Sequence, residues 1–263
     1  MVDIRQTPEY AQHLTNLGWK VIKRSGIYYY TRKMPIIWSI LKVQRPEKID
    51  IKAIKQIIKE ERVLKTVIEP KTSFQAKILE KKGFRKSKDP FLPTKTLIID
   101  LTKTEKKLQN NLKKDCRYAL RKTKSLMTKI VKPEEFRIYW KSAVSLKRHV
   151  PNIKTLRSLY DSFPSPHPLF LTSHNGEAGA IFIKAKNIAY YWQAFTGKAG
   201  RTSLAQYRLV WQGMLWAKKR GVKLFDFEGI YDKRYPNKSW LGFTHFKKSF
   251  GGETKKYPGV YKK

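Results

Sequence analysis

Residues 202–227 read TSLAQYRLVWQGMLWAKKRGVKLFDF. Leu204, Tyr207, Trp211 and Leu215 recur at the three- and four-residue steps of one helix face, so a helix is expected over about 202–220. Gly221 ends it, and 222–227 is an apolar run suited to a strand. The same succession of helix, glycine and strand occurs at 74–84, FQAKILEKKGF, with Gly83 as the stop. Two copies of one mixed α/β unit, one in each half, account for this echo, which reads as an internal duplication. On the second helix Tyr207 falls on the core stripe, and Gln206 is left to face a ligand.

Working outward, the first half shows β-rich runs at 19–23, 27–32 and 36–43, with Ser25-Gly26 as a hairpin turn between the first two. Ile51, Ile54, Ile57 and Ile58 then mark a helix over 49–62, and 63–69 is a strand ended by Pro70. Pro90 and Pro93 mark a join. After a strand at 96–101, Thr102 and Glu105 are expected to form a capping box for a helix running to about residue 125. Its buried stripe would be Leu108, Leu112, Cys116, Ala119 and Leu120, which makes Cys116 a core residue. Helices follow at 134–148 and 153–162, then strands at 169–173, 178–185 and 188–195, with an Asn175-Gly176 turn after the first strand. The expected class is α/β with mixed sheets.

The composition fits a folded, polyanion-seeking chain. There are 263 residues, 57 Lys plus Arg against 20 Asp plus Glu, and a formal charge of +37. Seven Trp, 14 Tyr and 13 Phe argue against disorder. Such a charge attracts nucleic acid or an anionic membrane face. Cys116 is the single cysteine, so no internal disulfide forms, and no Cys/His cluster has zinc spacing. Without an apolar signal core or a long apolar run, the expected compartment is the cytoplasm, with peripheral contact at the inner membrane face compatible with the charge.

Several motifs could carry chemistry. The run 224–231, LFDFEGIY, places Asp226, Glu228 and Tyr231 at the carboxyl end of a strand, where a ligand can approach. Read as a strand, 242–252 would put Phe246 and Phe250 on one face and His245 with Lys247 on the other. Lys113, Arg117, Arg121 and Lys124 line one face of the expected 102–125 helix, a spacing that suits RNA phosphates and equally an ordinary solvated face. Residues 197–203, GKAGRTS, lead into the long helix and offer its free N–H groups to an anion. They lack the Arg-x-x-Gly-x-Gly/Ala pattern that cradles the pyrophosphate of acetyl-CoA. The histidines form no Ser/His/Asp or metal-ligand pattern, and no P-loop or dinucleotide fingerprint is present.

Taken in order, TLIIDL at 96–101, Leu112 with RYALRK at 117–122, DFEGI at 226–230, Phe246-Lys247 and finally Phe250-Gly251-Gly252 resemble the FemABX family of peptidoglycan bridge-forming aminoacyltransferases. Arg45-Pro46 is similar to that family's Arg-Gly-Pro element without its glycine. The resemblance implies two packed GNAT-like domains with the carboxy-terminal tail completing the first: residues 1–95 plus 248–263, and 96–247. It implies transfer of an amino acid from aminoacyl-tRNA to an amino group of a peptidoglycan precursor, nucleotide-linked or lipid-linked, by a monomer without a cofactor. Lys247 would contact the tRNA end near the aminoacyl ester, and Phe246 would stabilise the tetrahedral intermediate through its backbone. Asp89 would match an acidic residue of the acceptor pocket. Phosphate-binding candidates in the first half are Lys23, Arg32, Lys42 and Arg45. The rival readings are an acyl-CoA-dependent N-acyltransferase, a protein-modifying aminoacyl-tRNA transferase, and a non-catalytic RNA-binding protein. The last leaves 226–231 unexplained.

Overall fold

The computed structural model describes residues 2–34, 38–144 and 149–263. The chain forms two compact units, residues 1–95 with 232–236 and 256–263, and residues 96–231 with 237–255.

In the first unit α1 (Pro8–Asn16) opens at Thr7, whose hydroxyl accepts from the Tyr10 N–H, with Pro8 at the first helical position. Then come β1 (Lys20–Arg24), β2 (Ile27–Lys33), β3 (Ser39–Gln44), α2 (Ile51–Glu60), β4 (Val63–Glu69), α3 (Ser73–Lys81) and β5 (Arg85–Ser87). The strand Val260–Lys262 from the far end of the chain inserts between β4 and β5. β1, β2 and β3 run antiparallel, whereas β3 and β4 are parallel and joined through α2. Ala53, Ile54 and Ile57 of α2 pack on Tyr29, Leu41, Val43 and Ile68 of the sheet, so the isoleucine spacing does mark the buried face. The strand expected at 36–43 is described from Ser39 onward, and Ile36 lies outside the described residues.

The second unit comprises β6 (Lys95–Asp100), α4 (Glu105–Asn110), α5 (Lys114–Lys122), β7 (Thr128–Ile130), α6 (Pro133–Ala143), α7 (Ile153–Ser162), β8 (Leu169–Ser173), β9 (Ala178–Ala185), β10 (Ile188–Thr196), α8 (Lys198–Thr202), α9 (Ala205–Lys219), β11 (Leu224–Asp226), α10 (Leu241–Lys248) and β12 (Glu253–Lys256). Its sheet runs β12-β6-β11-β10-β9-β8-β7. Here β8, β9 and β10 are antiparallel, and β11 joins β10 in parallel after the helical crossover. The duplication is therefore real: three antiparallel strands, a crossover and a parallel fourth strand occur in both units. The two glycines that suggested it are not equivalent, however. Gly221 precedes the parallel strand β11, whereas Gly83 follows α3, one element later. The true counterpart of Gly221 is Arg62, which takes the same left-handed turn at φ 47°.

Three expectations change at the helices. The 102–125 helix is two, α4 and α5, broken around residues 111–113, and its cap is Thr104 rather than Thr102. Thr102 instead donates its hydroxyl to Asp100, closing the end of β6. Residues 197–203 do not run into the long helix. They form the short α8, and the chain reverses at Leu204, a left-handed residue with φ 57°, before α9 begins. The 134–148 helix is α6, and residues 145–148 lie outside the described residues. Cys116 is fully buried in one core cluster with Leu108 and Leu112, Leu120 packs against that cluster, and Ala119 is buried.

Candidate active site in the second unit

The site begins where a parallel pair stops. β10 and β11 are in register only at Ile188–Leu224, Ala189–Phe225 and Tyr190–Asp226, yet β10 continues to Thr196. Past Tyr190 that edge of β10 pairs with no strand among the described residues. Its residues Tyr191 to Thr196 instead form one wall of a cavity of about 940 Å³, contained wholly within the second unit. The register of β9 and β10 shifts between Tyr191 and Gln193, so Trp192 is a bulge residue on the cavity wall. A bulge re-aims side chains next to a site.

α9 contributes Gln206 and Tyr207, α10 contributes Phe243, Phe246 and Lys247, and Trp140 closes the far side. The Gln206 amide is fixed at both ends. Its Nε2 donates to the Tyr191 hydroxyl at 2.8 Å, and its Oε1 accepts from Thr196 Oγ1 at 3.0 Å. Rings stack behind the wall: Tyr207 meets Phe246 edge-on at 4.8 Å and Phe250 face-on at 5.8 Å. Tyr207, expected as core, is therefore half-buried and lines the cavity as well.

The turn after β11 has two left-handed residues in succession, Glu228 at φ 53° and Gly229 at φ 125°. Asp226 shapes it, since Oδ1 accepts from Thr96 Oγ1 at 2.5 Å and from the Glu228 N–H at 2.8 Å. Thr96 Oγ1 in turn accepts from the Gly229 N–H at 3.2 Å. From the other side Lys247 Nζ donates to the carbonyl oxygens of Phe227 and Gly229, both at 2.7 Å. Thr244 Oγ1 accepts from the Tyr231 N–H at 2.7 Å. Lys247 is 8% exposed and lies 5.5 Å from the Tyr191 ring and 5.0 Å from the Phe243 ring. Burial lowers its pKa to about 8, against the opposing pull of Glu228 and Asp226.

The structure sorts the expected residues. Lys247, Phe246, Gln206 and Glu228 meet on one cavity. Asp226 does not line it; at 3% exposed it is the internal brace of the turn. Tyr231 is half-buried and is tied to Thr244 through its backbone. The strand expected at 242–252 is largely the helix α10. His245 is thereby separated from Lys247: it is 76% exposed and 3.6 Å from Asp115, whereas Lys247 turns inward. The helix was readable in Phe243, Phe246 and Phe250, which recur at steps of three and four. Phe246 offers its ring to the cavity, while its carbonyl accepts from the Ser249 N–H and hydroxyl.

Arg45 lies inside the first unit, 3% exposed. It donates to Asp3 Oδ2 at 3.1 Å and to the Pro93 carbonyl at 2.7 Å, and stacks 3.7 Å above the Tyr257 ring. Burial pushes the Asp3 carboxyl up, but Arg5 and Arg45 together hold it below its ordinary value. Asp89 is 90% exposed, 4.0 Å from Lys262 Nζ. Lys42 and Arg32 face the Trp19 ring at 4.4 and 5.7 Å, and Lys23 faces Tyr28 at 5.2 Å. Lys113, Arg117, Arg121 and Lys124 are all exposed, Lys113 as the cap of α5 and Lys124 beyond its end, and Arg117 donates to the Leu112 carbonyl. Trp140, Trp192 and Phe243 escaped the sequence reading because an aromatic on a strand or helix carries no sign of whether it faces core or cavity. Among the described residues no three His, Cys, Asp or Glu side chains are placed to hold a metal ion.

The role of Asp226 can be measured. Asp226→Ala removes the acceptor for a buried hydroxyl and a backbone N–H, and should lower stability by about 2 to 4 kcal/mol. Asp226→Asn retains an Oδ1 acceptor and should keep most of it. Urea unfolding of the two variants checks this; equal losses would mean that charge, not acceptance, holds the turn.

Three antiparallel strands, a helical crossover and a parallel fourth strand, repeated in both units, with the sheet of the second opening over a cavity, define a duplicated GNAT-like α/β fold. Residues 173–263 match the FemAB family. This stretch includes β10, the 226–231 turn and α10, so it holds the later motifs of the resemblance, 226–230, 246–247 and 250–252, and most of the cavity lining. The fold extends the likeness to the whole chain: FemX superposes with a TM-score of 0.81 at 16% identity, covering 99% of this chain and 92% of that one. The C-terminal DUF2156 domain of a putative lysylphosphatidylglycerol synthetase from Agrobacterium fabrum matches with a TM-score of 0.62, at 16% identity, over 98% and 88% of the two chains. L-PGS from Bacillus licheniformis gives 0.64 at 13% identity over 95% and 85%. No curated protein matches the chain in sequence.

Proposed function

We propose that the protein is an aminoacyltransferase that moves an amino acid from aminoacyl-tRNA to an amino group of a peptidoglycan precursor, acting in the cytoplasm. The observation that carries this reading is Lys247, a buried lysine on the wall of an open aromatic cavity, within the segment that matches the FemAB family. An aminoacyl ester is already activated. The protein has to hold it beside an amine and stabilise the oxygen as it becomes negative. Two of the three Lys247 N–H donors are fixed on carbonyl oxygens, which aims the ammonium. The rings of Tyr191, Trp192, Tyr207, Phe243 and Phe246 suit the stacked bases of a single-stranded acceptor end.

An acyl-CoA donor is less well served. In 197–203 the Gly197 N–H donates to the Glu177 carbonyl at 2.9 Å, and a Cβ at Gly200 would stand 2.6 Å from that same oxygen. These glycines pack against protein backbone and leave no cradle for a pyrophosphate. The test is incubation of the purified protein with charged tRNA and precursor, following labelled amino acid into the precursor. Labelling from acyl-CoA but not from tRNA would overturn the reading.

The charge gives a second measurement. Affinity for tRNA should fall steeply with salt, each phosphate contact adding about 0.7 to 0.9 to the logarithmic slope. Replacing Arg117 and Arg121 together by Ala should weaken binding and flatten that slope by about 1.5 if the exposed face of α5 tracks the backbone. An unchanged slope would return these residues to ordinary surface.

A further inference from the structure

The sheet of the first unit has one covered face and one that is open over part of its width. Tyr29, Leu41, Val43, Ile68 and Tyr261 share the face on which α2 and α3 pack. Strand pairing puts Arg32 of β2, Lys42 of β3, Lys65 of β4, Lys262 of the Val260–Lys262 strand and Arg85 of β5 on the opposite face. Lys42 pairs with Val67, Val67 with Lys262 and Lys262 with Arg85, so three of the cations share one cross-strand row. Arg32 and Lys65 both pair with Ile40 in the next row. At its other end this face is covered by the start of the chain, where the Tyr30 hydroxyl donates to the Arg5 carbonyl at 2.6 Å, but Arg32, Lys65 and Arg85 are exposed.

Two features set these cations apart. The first is the lack of counter-ions. Elsewhere in this unit cations meet carboxylates, Lys20 with Glu61, Arg24 with Glu60 and Lys71 with Glu47. Among the described residues no carboxylate reaches Arg32, Lys42, Lys65 or Arg85 at ion-pair distance, and Lys262 has Asp89 only at 4.0 Å. Glu69, one step along the same face, is buried and gives its carboxylate to Gln44 Nε2 at 3.2 Å and the Leu92 N–H at 2.6 Å. The second feature is that the charges are held in place. Arg32 and Lys42 face the Trp19 ring at 5.7 and 4.4 Å, and Lys42 and Lys262 face the Phe91 ring at 5.2 and 5.7 Å. The rings are thus engaged by the protein's own cations, and what remains open to a partner is fixed positive charge.

At about 4.8 Å per strand, the four steps from β2 to β5 spread these charges over about 19 Å. That width exceeds what a single pyrophosphate can span, and rings already engaged offer no platform to unpaired bases. Charges pinned at intervals match the regularly spaced phosphates of a duplex, whereas a fluid lipid surface requires no fixed array. We propose that the open sheet face of the first unit is a docking surface for the phosphate backbone of double-stranded RNA, with Arg32, Lys65 and Arg85 as its exposed contacts. Such a surface reads charge and shape, not base sequence. The inference goes beyond the transfer reading and does not depend on it.

The experiment is equilibrium binding of a blunt RNA duplex to the full chain, followed by fluorescence anisotropy over a salt series. Two triple variants remove equal charge from opposite sides of one sheet: Arg32→Ala with Lys65→Ala and Arg85→Ala on the open face, and Lys52→Ala with Lys55→Ala and Lys59→Ala on the exposed side of α2. The open-face variant should bind the duplex at least about tenfold more weakly near physiological salt and flatten the logarithmic salt slope by about 2 to 3, whereas the α2 variant should change affinity by no more than about twofold. All six side chains are exposed, and urea unfolding checks that both variants keep the fold. Equal losses in the two variants would overturn the proposal, because the face would then add nothing beyond net charge. Displacement of the duplex by inorganic pyrophosphate at equal total charge would overturn it in favour of a small-anion site. Vesicles of phosphatidylcholine and phosphatidylglycerol are the last probe: an open-face variant that loses vesicle binding but keeps duplex binding would assign the face to a membrane and overturn the proposal as well. Duplex binding lost only in the open-face variant, together with no transfer from any charged tRNA, would sink the proposed reaction and leave this surface standing.

Discussion

Lys247→Ala should reduce transfer by about 100-fold or more, the scale of losing one preorganised contact to a developing oxyanion, while Lys248→Ala should have little effect. The two changes remove the same charge from the same helix, so their long-range fields are nearly equal. Their local settings differ: Lys247 is buried on the cavity wall and Lys248 is half-buried and absent from it. Lys247 also ties down the 227–229 turn, and truncation leaves two carbonyl oxygens without that donor. A purely structural lysine would therefore lower stability and activity together. Two measurements separate the roles. Lys247→Met fills the same space, so retained cooperative unfolding with transfer still lost would assign the ammonium a part in the reaction. The second is pH. With a folded pKa lowered to about 8 from the ordinary 10.5, the unfolded chain binds more protons between those values. Wild-type stability should then rise with pH across that window relative to Lys247→Met. A flat difference would mean that the ammonium is not desolvated, and equal, mild activity losses at 247 and 248 would defeat the catalytic role.

How much of this was legible in the sequence depends on which force sets each feature. Helix faces were readable where burial imposes a clear period, as at Ile54 and Ile57 on α2; on α9 the deepest face is Leu209, Val210, Met214 and Ala217, and of the expected Leu204, Tyr207, Trp211 and Leu215 only Trp211 is buried, because both sides of that helix are apolar. The duplication was readable through punctuation that misled in detail, because a left-handed helix stop favours glycine without demanding it, and Arg62 occupies the position where the second unit has Gly221. The cavity was not readable at all. It exists because β11 ends at Asp226 while β10 runs on to Thr196, a mismatch of lengths between strands that only pairing reveals. Asp226 and Glu228 show the same limit at closer range. Two carboxylates two residues apart looked alike, yet one folds back on Thr96 and the other lines the cavity, because φ at residue 228 changes sign.

The second large effect is expected at Gly252, part of the Phe250-Gly251-Gly252 motif on which the family resemblance partly rests. Gly252 has φ +87°, and a Cβ there would stand 2.5 Å from the Ile98 carbonyl oxygen, a backbone atom of β6 that cannot move alone. Gly251, at φ +82°, would bring its Cβ to 2.7 Å from the Asn111 carbonyl oxygen. Left-handed strain of about 1 to 2 kcal/mol adds to a contact that only a backbone shift relieves, so Gly252→Ala should destabilise by more than about 3 kcal/mol. For a unit of this size that lowers the thermal midpoint by on the order of 10 °C. Gly242→Ala is the contrast. Apart from its chain neighbours and its own helix backbone, no atom of the described residues lies within 4 Å of its Cβ position, it is inside α10, and replacing a helical glycine should stabilise by about 0.5 to 1 kcal/mol. The consequence reaches the site, because Gly251 and Gly252 are the link by which α10 passes into β12 at the sheet edge beside β6. Shifting that link moves the helix that carries Phe246 and Lys247. Gly252→Ala should therefore lose transfer activity in step with stability, whereas Lys247→Met should lose it without; if Gly252→Ala unfolds at the wild-type temperature, the close approach to β6 is not what holds α10 in place.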